Sequence, residues 1–242
     1  MNSLQAEITY LFHSGYAVKT ATHFLIFDYY RPHPPKKDGL TEGVITADFL
    51  KPKSNVFVFV SHSHADHFDP AILKWSQANP DITYVLSSDI HPAMGTASCR
   101  FLSPYETFSQ GGLTVNAFGS TDLGVSFLVK VDHLSIFHAG DLNWWHWKGE
   151  SHKEQRHAET IFKAEIDKIA GEVIDIAFFP VDRRLEEFYS LGAEYFASKL
   201  QPKLLVPMHF GSDFGASRAF AQKVGPSIST VEITREGQTI LF

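Results

Sequence analysis

Residues 55–69 read Asn-Val-Phe-Val-Phe-Val-Ser-His-Ser-His-Ala-Asp-His-Phe-Asp, and this stretch decides the fold. Its first part, residues 56–60, is an uninterrupted run of valine and phenylalanine, which is typical of a strand buried on both faces. Open α/β sheets place their sites at the carboxyl ends of such strands. The polar side chains that follow at this end are those of His62, His64, Asp66 and His67.

The composition of this polar cluster predicts a metal site. Three imidazoles and one carboxylate so close together are costly to hold unless a cation binds them. Neutral imidazole and carboxylate oxygen are the ligands that suit zinc and its first-row neighbours. The alternative is a polar turn after a core strand, which would be the interpretation of a single histidine. Four candidate ligands in one short motif favour the metal site.

Residues 61–67, Ser-His-Ser-His-Ala-Asp-His, resemble the His-x-His-x-Asp-His signature of the metallo-β-lactamase superfamily. The resemblance extends through most of the chain. It is closer to the branch with ascorbate-phosphate-lactonase-like hydrolases than to the antibiotic-degrading enzymes. The resemblance implies an α/β (α+β) protein with the four-layer αββα sandwich of the metallo-β-lactamase type. We therefore expect a single domain over residues 1–242.

Two further strand ends carry groups that resemble metal ligands of this superfamily. Residues 137–141, Phe-His-Ala-Gly-Asp, are similar to its Gly-Asp element, whose carboxylate bridges two metal ions. Residues 207–211, Pro-Met-His-Phe-Gly, are similar to the segment with its last histidine ligand. Because three apolar strands each end in one of these groups, we predict that the groups converge. The resemblance implies a first metal position with His62 and His64, a second with Asp66, His67 and His209, and Asp141 between them.

One ligand of the superfamily pattern is missing. A histidine usually stands upstream of the bridging aspartate, but Ser120 holds that place in residues 119–124, Gly-Ser-Thr-Asp-Leu-Gly. A serine hydroxyl is a poor zinc ligand. Either Asp122 replaces the histidine as an oxygen donor, or the first metal is bound weakly, or the site holds one metal. We expect one or two divalent ions, with zinc as the first choice and manganese or iron as alternatives, since an oxygen donor favours harder ions.

The resemblance also implies a mechanism. A metal-bound hydroxide acts as the nucleophile, because a metal lowers the pKa of water from ~16 to about 7. Asp66 orients this hydroxide and passes a proton to the leaving group. The expected activity is hydrolysis of a small ester, a lactone or a phosphate-bearing metabolite. The alternative is a metal-binding member of the superfamily whose first metal position is incomplete and which binds a ligand or a partner instead of catalysing a reaction. Such a protein does not need Asp66.

The turn after the first predicted strand carries His13. Residues 7–12 and 23–29 are expected to form the two strands of an opening hairpin. Residues 13–15 between them, His-Ser-Gly, are similar to the His-containing first turn of lactonase-like members. His13 either reaches the metal centre from this turn, where it would contact the substrate, or lies on the surface of the turn.

Three more side chains are candidates for contact with the substrate. His138 ends a strand and either faces the pocket or packs in the core. Trp144 opens a tryptophan-rich stretch that forms either a pocket wall or a hydrophobic plug. Arg183, with its neighbour Arg184, either holds an anionic group of the substrate or forms a local salt bridge. The segment of residues 144–170, with a charged helix in its second half, is either a lid or an oligomer contact.

Composition argues against several other classes of protein. The chain has 242 residues, of which 44% are apolar, and this is ample for a sizeable core. Its net charge is −6 and its basic residues do not cluster, so no nucleic-acid partner is expected. A single cysteine, Cys99, excludes an intrachain disulfide and favours a reducing compartment. With neither a signal peptide nor the ~20 apolar residues of a membrane span, we predict a soluble cytoplasmic protein with a small-molecule substrate.

Overall fold

The computed structural model describes residues 5–34, 37–91 and 98–242, which form two β-sheets with helices on their outer faces. The strands of the first sheet are β1 Glu7–Phe12, β2 Gly15–Lys19, β3 Phe24–Phe27, β4 Val56–Val60, β5 Thr83–Ser87, β6 Cys99–Leu102 and β13 Thr239–Leu241. Those of the second are β7 Thr107–Gln110, β8 Leu113–Phe118, β9 Ser126–Val131, β10 Leu134–His138, β11 Ile176–Pro180 and β12 Leu204–Met208. The helices are α1 Ala47–Leu50, α2 His152–Ile169, α3 Leu191–Leu200 and α4 Phe214–Val224, with 3-10 segments at Leu40–Glu42, Pro70–Gln77, Arg183–Phe188 and Gly225–Ser227.

The strand order explains the composition of the central strands. The first sheet runs β13-β1-β2-β3-β4-β5-β6, and the second runs β12-β11-β10-β9-β8-β7. Strand β4 pairs in parallel with both β3 and β5, and all five of its residues are buried. Parallel strands covered on both faces need apolar side chains on both faces, which is why residues 56–60 show no alternation of apolar and polar residues.

The two sheets pack face to face around an aromatic core. Phe59 of β4 contacts Phe127 of β9 across the interface, with ring centroids 5.5 Å apart. Tyr16 of β2 reaches into the second sheet and donates its hydroxyl to the carbonyl of Pro207 at 2.6 Å. Full burial of a large apolar side chain stabilises the fold by roughly 1.5–3 kcal/mol. The aromatic core therefore accounts for much of the cohesion between the sheets.

Helices cover the outer face of each sheet. On the first sheet, Trp75 of the segment Pro70–Gln77 belongs to one buried cluster with Val58 of β4. On the second, Phe162 of α2 packs on Phe179 of β11, with ring centroids 6.3 Å apart. The resulting order of helices, sheet, sheet and helices confirms the predicted fold class, the αββα sandwich. None of the helices in the described ranges is both long and apolar enough to cross a membrane.

The predicted opening hairpin is wrong in its pairing. Residues 7–12 and 23–29 do not pair with each other, because β2 lies between them and pairs antiparallel with both β1 and β3. The turn of His13 and Ser14 is short enough to reverse the chain directly into β2. The sequence interpretation missed this strand, and so it missed that the turn lies against the sheet.

The parallel strands of both sheets direct their carboxyl ends to the same end of the sandwich. Asp28 follows β3 of the first sheet and Asp141 follows β10 of the second, yet both contact the ring of His67. We call this the carboxyl end. The opposite end, where the β2–β3 and β9–β10 turns meet, is called the turn end.

Candidate metal centre

The backbone at the carboxyl end is strained where it presents its side chains. His13, Asp28 and His209 have φ values of 55°, 41° and 68°. A positive φ is uncommon for residues other than glycine and costs of order 1–3 kcal/mol. The amide of His209 donates to the carbonyl of His13 at 3.1 Å, which ties the β1–β2 turn to the end of β12. Strain of this kind is typical of functional sites, where the surrounding structure holds it in place.

A first set of potential metal donors, which we call the first donor group, consists of His62, His64 and Asp141. His62 Nε2 lies 3.4 Å from Asp141 Oδ2 and 3.0 Å from His64 Nδ1. Two ligands bound at ~2.0–2.1 Å to a tetrahedral ion lie about 3.3 Å apart. The spacing of these atoms therefore suits a shared ion. His64 is half exposed, with 48% of its side-chain surface accessible, whereas His62 is buried.

A second set, the second donor group, consists of His13, Asp66, His67 and His209. Each supplies one atom, and these atoms lie within 4.8 Å of one another. Asp141 Oδ1 adjoins this group, at 3.1 Å from His67 Nε2 and 3.2 Å from His209 Nε2. The carboxylate of Asp141 thus has one oxygen toward each donor group, which is the position predicted for the bridging ligand.

Unpaired buried atoms show that the second donor group suits a cation. The Nε2 atoms of His13, His67 and His209, together with Asp141 Oδ1, are buried without a hydrogen-bond partner among the described residues. Leaving a buried polar atom unsatisfied costs about 1–3 kcal/mol. Here two of the imidazole nitrogens lie within ion-pair distance of Asp141 Oδ1 without hydrogen-bond geometry. The four atoms therefore converge as potential ligands, and imidazole nitrogen with carboxylate oxygen is a suitable donor set for zinc or iron.

Two buried carboxylates orient the imidazoles of this group. Asp28 Oδ2 lies 2.7 Å from His67 Nδ1 and also accepts from the Ser61 hydroxyl at 2.6 Å. Asp182 Oδ2 lies 2.9 Å from His209 Nδ1. When Nδ1–H donates to a carboxylate, the lone pair of Nε2 is left for a metal. The tautomer required for ligation is therefore built into the fold.

The charges of the buried groups shift one another's pKa values strongly. Burial lowers the pKa of His67, but the Asp141 and Asp28 carboxylates outweigh it and raise the value to about 10. The pKa of His209 is raised in the same way, since Asp141 and Asp182 outweigh its burial. Burial raises the pKa of Asp141, yet His209 and His67 hold it well below its ordinary value. Without metal, protons on the two imidazoles therefore balance the buried carboxylates.

His13 and Asp66 form the part of the second donor group nearest the solvent. His13 Nε2 lies 3.4 Å from Asp66 Oδ2, and 45% of the Asp66 side chain is exposed. Burial lowers the pKa of His13 to about 4. The adjacent His13 ring lowers the pKa of Asp66 below its ordinary value. At neutral pH the pair is thus a neutral imidazole beside a carboxylate, and both are in the protonation state that a metal binds.

A cavity of about 770 Å³ opens directly above the donor groups. Trp145 donates its indole N–H to the carbonyl of Asp141 at 3.0 Å, which fixes the ring beside the centre. The Trp147 ring lies parallel to it, with centroids 6.0 Å apart. The first turns of α2 form the facing wall, and a capping box between Ser151 and Glu154 fixes the start of this helix. A pocket of this size accommodates a small organic molecule.

Ser120 and Asp122, which lie where the first metal position lacks its histidine, belong to neither donor group. Asp122 Oδ2 lies 3.9 Å from His64 Nδ1 and lines the pocket. The Ser120 hydroxyl accepts from the amide of Asp122 at 3.3 Å and so stabilises the local turn. The first donor group therefore contains two imidazoles and a shared carboxylate, as the sequence pattern suggests.

Three residues predicted to contact the substrate lie away from this pocket. His138 is fully buried, bonds to the carbonyl of Ser14 at 2.9 Å and stacks on Phe27. Trp144 packs on Phe162 of α2. Arg183 donates to the carbonyl of Gly215 at 2.7 Å.

Residues close in sequence to Trp144 and Arg183 line the pocket instead. Trp145, Trp147 and Arg184 line it, because successive side chains of an irregular segment point in different directions. Arg184 also forms a salt bridge with Asp182, which is itself bonded to His209. The partner role of Asp182 was not predicted, and its only signal in the sequence is its place after an apolar strand, as for the metal-ligand candidates. His13, predicted as a substrate contact, lies in the second donor group.

Comparison with known proteins gives a family match over most of the chain. Residues 7–209 match the model of a family described as the β-lactamase superfamily domain. A curated protein of Opitutus terrae, named UPF0173 metal-dependent hydrolase, is 26% identical over 235 residues, which cover 86% of each chain. The family match includes every residue of both donor groups.

Solved structures with the same fold include further proteins named as hydrolases. Igni18, a metallo hydrolase from Ignicoccus hospitalis, superposes with a TM-score of 0.68 at 19% identity and 98% coverage of both chains. A putative metal-dependent hydrolase from Parabacteroides distasonis gives a TM-score of 0.63 at 19% identity, over 96% of this chain and 94% of its own. At these identities the likeness concerns the fold.

Proposed function

This chain belongs to the β-lactamase superfamily, and we propose that it is a metal-dependent hydrolase that acts on a small ester or lactone. The observation that carries this proposal is the position of Asp66, which stands between the buried donor atoms and the open pocket. A divalent ion supplies Lewis acidity at such a centre: it lowers the pKa of water by several units and polarises the bond under attack. The relatives named as metal-dependent hydrolases support this class of activity.

Asp66 is proposed as the residue that moves the proton. Its carboxylate is half exposed toward the pocket, and its lowered pKa keeps it ionised at neutral pH. It can accept the proton of the attacking water and pass it to the leaving group. Such general-base catalysis contributes typically 10²–10⁴-fold to the rate.

The pocket walls favour a substrate with an apolar or planar part. Trp145, Trp147 and Ile161 provide apolar surface, while charged side chains of both signs also line the pocket, among them Asp122, Glu150, Lys153 and Arg184. Because tryptophan rings pack against apolar and planar groups, we place esters and lactones before phosphate-bearing metabolites. Membership of the lactonase-like branch is part of this proposal, as are a small-molecule substrate and a reducing, cytoplasmic location based on the single Cys99.

The test is a screen of esters, lactones and phosphodiesters with the metal-loaded protein, followed by Asp66→Asn on any substrate that is cleaved. The amide keeps the shape of the side chain but cannot take the proton, so at equal metal content we expect turnover to fall about 10²–10⁴-fold. Asp167→Asn, at an exposed position of α2, is the matched control. Near-normal turnover by Asp66→Asn would show that another group moves the proton.

A further inference from the structure

The two donor groups differ in how many of their nitrogen and oxygen atoms already have a hydrogen-bond partner. Among the described residues, four buried atoms at the centre lack a hydrogen bond of suitable geometry and face the second donor group: the Nε2 atoms of His13, His67 and His209, and Asp141 Oδ1. The His67 and His209 nitrogens are only ion-paired with Asp141 Oδ1, whereas His62 Nε2 and His64 Nδ1 of the first donor group form a hydrogen bond at 3.0 Å. The need for a cation is therefore concentrated at the second donor group.

His13 increases the number of donors at this position. The superfamily signature accounts for Asp66, His67 and His209 with the shared Asp141. With His13 the position has three imidazole nitrogens and two carboxylate oxygens available, whereas the first position has two nitrogens and one oxygen. A donor is missing at the first position and an additional one stands at the second. The two positions therefore differ more than the gap at Ser120 alone would suggest.

The fold holds the His13 side chain in its place toward the centre. Its backbone is left-handed, its amide donates to the Tyr10 hydroxyl at 2.8 Å, and its carbonyl accepts from the amide of His209. A histidine that served packing alone would pair its ring nitrogens, as His138 does with the carbonyl of Ser14. The buried Nε2 of His13 instead faces the Asp66 carboxylate at 3.4 Å, and no described residue offers it a hydrogen bond of good geometry. Its geometry is that of a ligand rather than of a core residue.

We propose that His13 is a metal ligand, and that one tightly held divalent ion occupies the second donor group while the first donor group is an open face toward the pocket. Five available donors suit a first-row transition ion of coordination number five or six rather than a four-coordinate structural zinc. The inference rests on the proposed function in one respect, that the centre binds metal. It adds which position is filled, by which ligands, and which side is left for the substrate.

The experiment measures metal content after exhaustive dialysis against a chelator, without any assay of activity. We expect one ion per chain to remain in the wild type. His13→Asn is the main variant, because asparagine tolerates a left-handed backbone and its shorter side chain withdraws the donor nitrogen. It should lose the retained ion at a chelator concentration that leaves the wild type loaded. His64→Ala, in the first donor group, should keep it, as should the control His152→Ala at an exposed position of α2.

Cobalt(II) titration gives a second readout of the ligand sphere. The visible spectrum of the first bound equivalent should change in His13→Asn and stay unchanged in His64→Ala. Circular dichroism of the metal-free variants checks that both are folded. Retention of one ion by His13→Asn with an unchanged cobalt spectrum would overturn the role of His13. Two equally retained ions in the wild type would overturn the single tight position.

These outcomes separate the present inference from the proposed function. If the metal measurements come out as expected and no substrate is cleaved in the screen, the ligand set stands and the hydrolase proposal fails. If the wild type cleaves a substrate and His13→Asn keeps its ion, the ligand role fails alone.

Discussion

Buried histidines lie beside aspartates at both ends of the sandwich, but the hydrogen bonds of these pairs are satisfied in different ways. At the turn end, Asp132 accepts hydrogen bonds from the Thr20 hydroxyl at 2.6 Å and from the Thr22 amide at 2.8 Å. His23 lies 3.2 Å from the same carboxylate through Nδ1 and 2.9 Å from the carbonyl of Gly111 through Nε2. Both nitrogens of the ring are thus paired within the chain.

At the carboxyl end the same kind of pair is only half satisfied. His67 is held by Asp28 and His209 by Asp182 through Nδ1, as His23 is held by Asp132. Their Nε2 atoms, however, both converge on Asp141 Oδ1, at 3.1 and 3.2 Å, and among the described residues neither has a partner with hydrogen-bond geometry. Burial and pairing with a carboxylate are therefore shared by both ends. What distinguishes a candidate metal centre from a structural cluster is the second nitrogen, which is left for a ligand.

Removing the carboxylate shared by the two donor groups should have the largest effect on the carboxyl end. Asp141→Ala takes one oxygen from each group and removes the charge that faces His67 and His209. We expect the metal content to fall to background, with loss of any hydrolytic activity, while circular dichroism shows a folded chain. A variant that still binds one ion per chain would mean that the donor groups do not share Asp141.

The carboxylate behind His209 should have a smaller effect on the same ion. Asp182→Asn can still cap the segment Arg183–Phe188 but no longer places a charge beside Nδ1 of His209. Loss of such an outer partner typically weakens metal binding by about 10–100-fold, which a competition titration with a chelator measures. Asp213→Asn, whose carboxylate pairs with the exposed Arg183, is the control. Equal affinities for the two variants would contradict the orienting role of Asp182.

The sequence was sufficient to predict the parts of the fold and centre that depend on local patterns. The apolar run of residues 56–60 and the donors directly after it follow from composition and spacing, whereas Asp141 and His209 were implied by the resemblance to the superfamily. His62, His67, Asp141 and His209 do lie together. Side-chain direction in irregular segments was not predictable. Trp144 and Arg183 were named as substrate contacts, but each following residue points into the pocket.

The position of His13 depended on a tertiary contact that no local pattern contains. Its ring reaches the second donor group because β2 pairs beside β1 and because the His209 amide binds the His13 carbonyl. The lack of hydrogen bonds at the histidine Nε2 atoms was not predictable from the sequence either, because it depends on which side chains tertiary packing places beside them. From the sequence, His13 therefore indicated only a choice between a place at the metal centre and a place on the surface.

Metal binding at the carboxyl end should depend on pH, because the metal competes with protons for the histidine nitrogens. In the metal-free protein the pKa of His67 is raised to about 10 and that of His209 is also raised, so a metal must displace protons from both. The apparent affinity for the metal should rise with pH between 6 and 9, by about 10- to 100-fold per pH unit. The pKa of His13, lowered to about 4, adds nothing in this range. Calorimetry in buffers of different ionisation enthalpy counts the released protons, and a pH-independent affinity would contradict the raised pKa values.

The smallest expected effect on metal comes from the turn end, where Asp132→Asn should change stability alone. Asparagine tolerates the left-handed backbone at this position, where φ is 47°. The amide loses the charge that accepts from Thr20 and Thr22, so unfolding by denaturant at pH 7 should become easier by about 1–3 kcal/mol.

The sign of the pH effect at Asp132 follows from its pKa, which its hydrogen bonds from Thr20 and Thr22 hold below the ordinary value although burial opposes them. An aspartate with a lowered pKa stabilises the fold above the pKa of its unfolded state, about 3.9, and this contribution is lost as the pH falls through and below that value. The difference in the free energy of unfolding between the wild type and Asp132→Asn should therefore be largest at pH 7 and decrease toward pH 3. Metal content at neutral pH should stay at the wild-type level, because His23 has no unpaired nitrogen to offer. A loss of metal comparable to that of Asp182→Asn would show that the two ends are coupled through the sheets and are not separate in role.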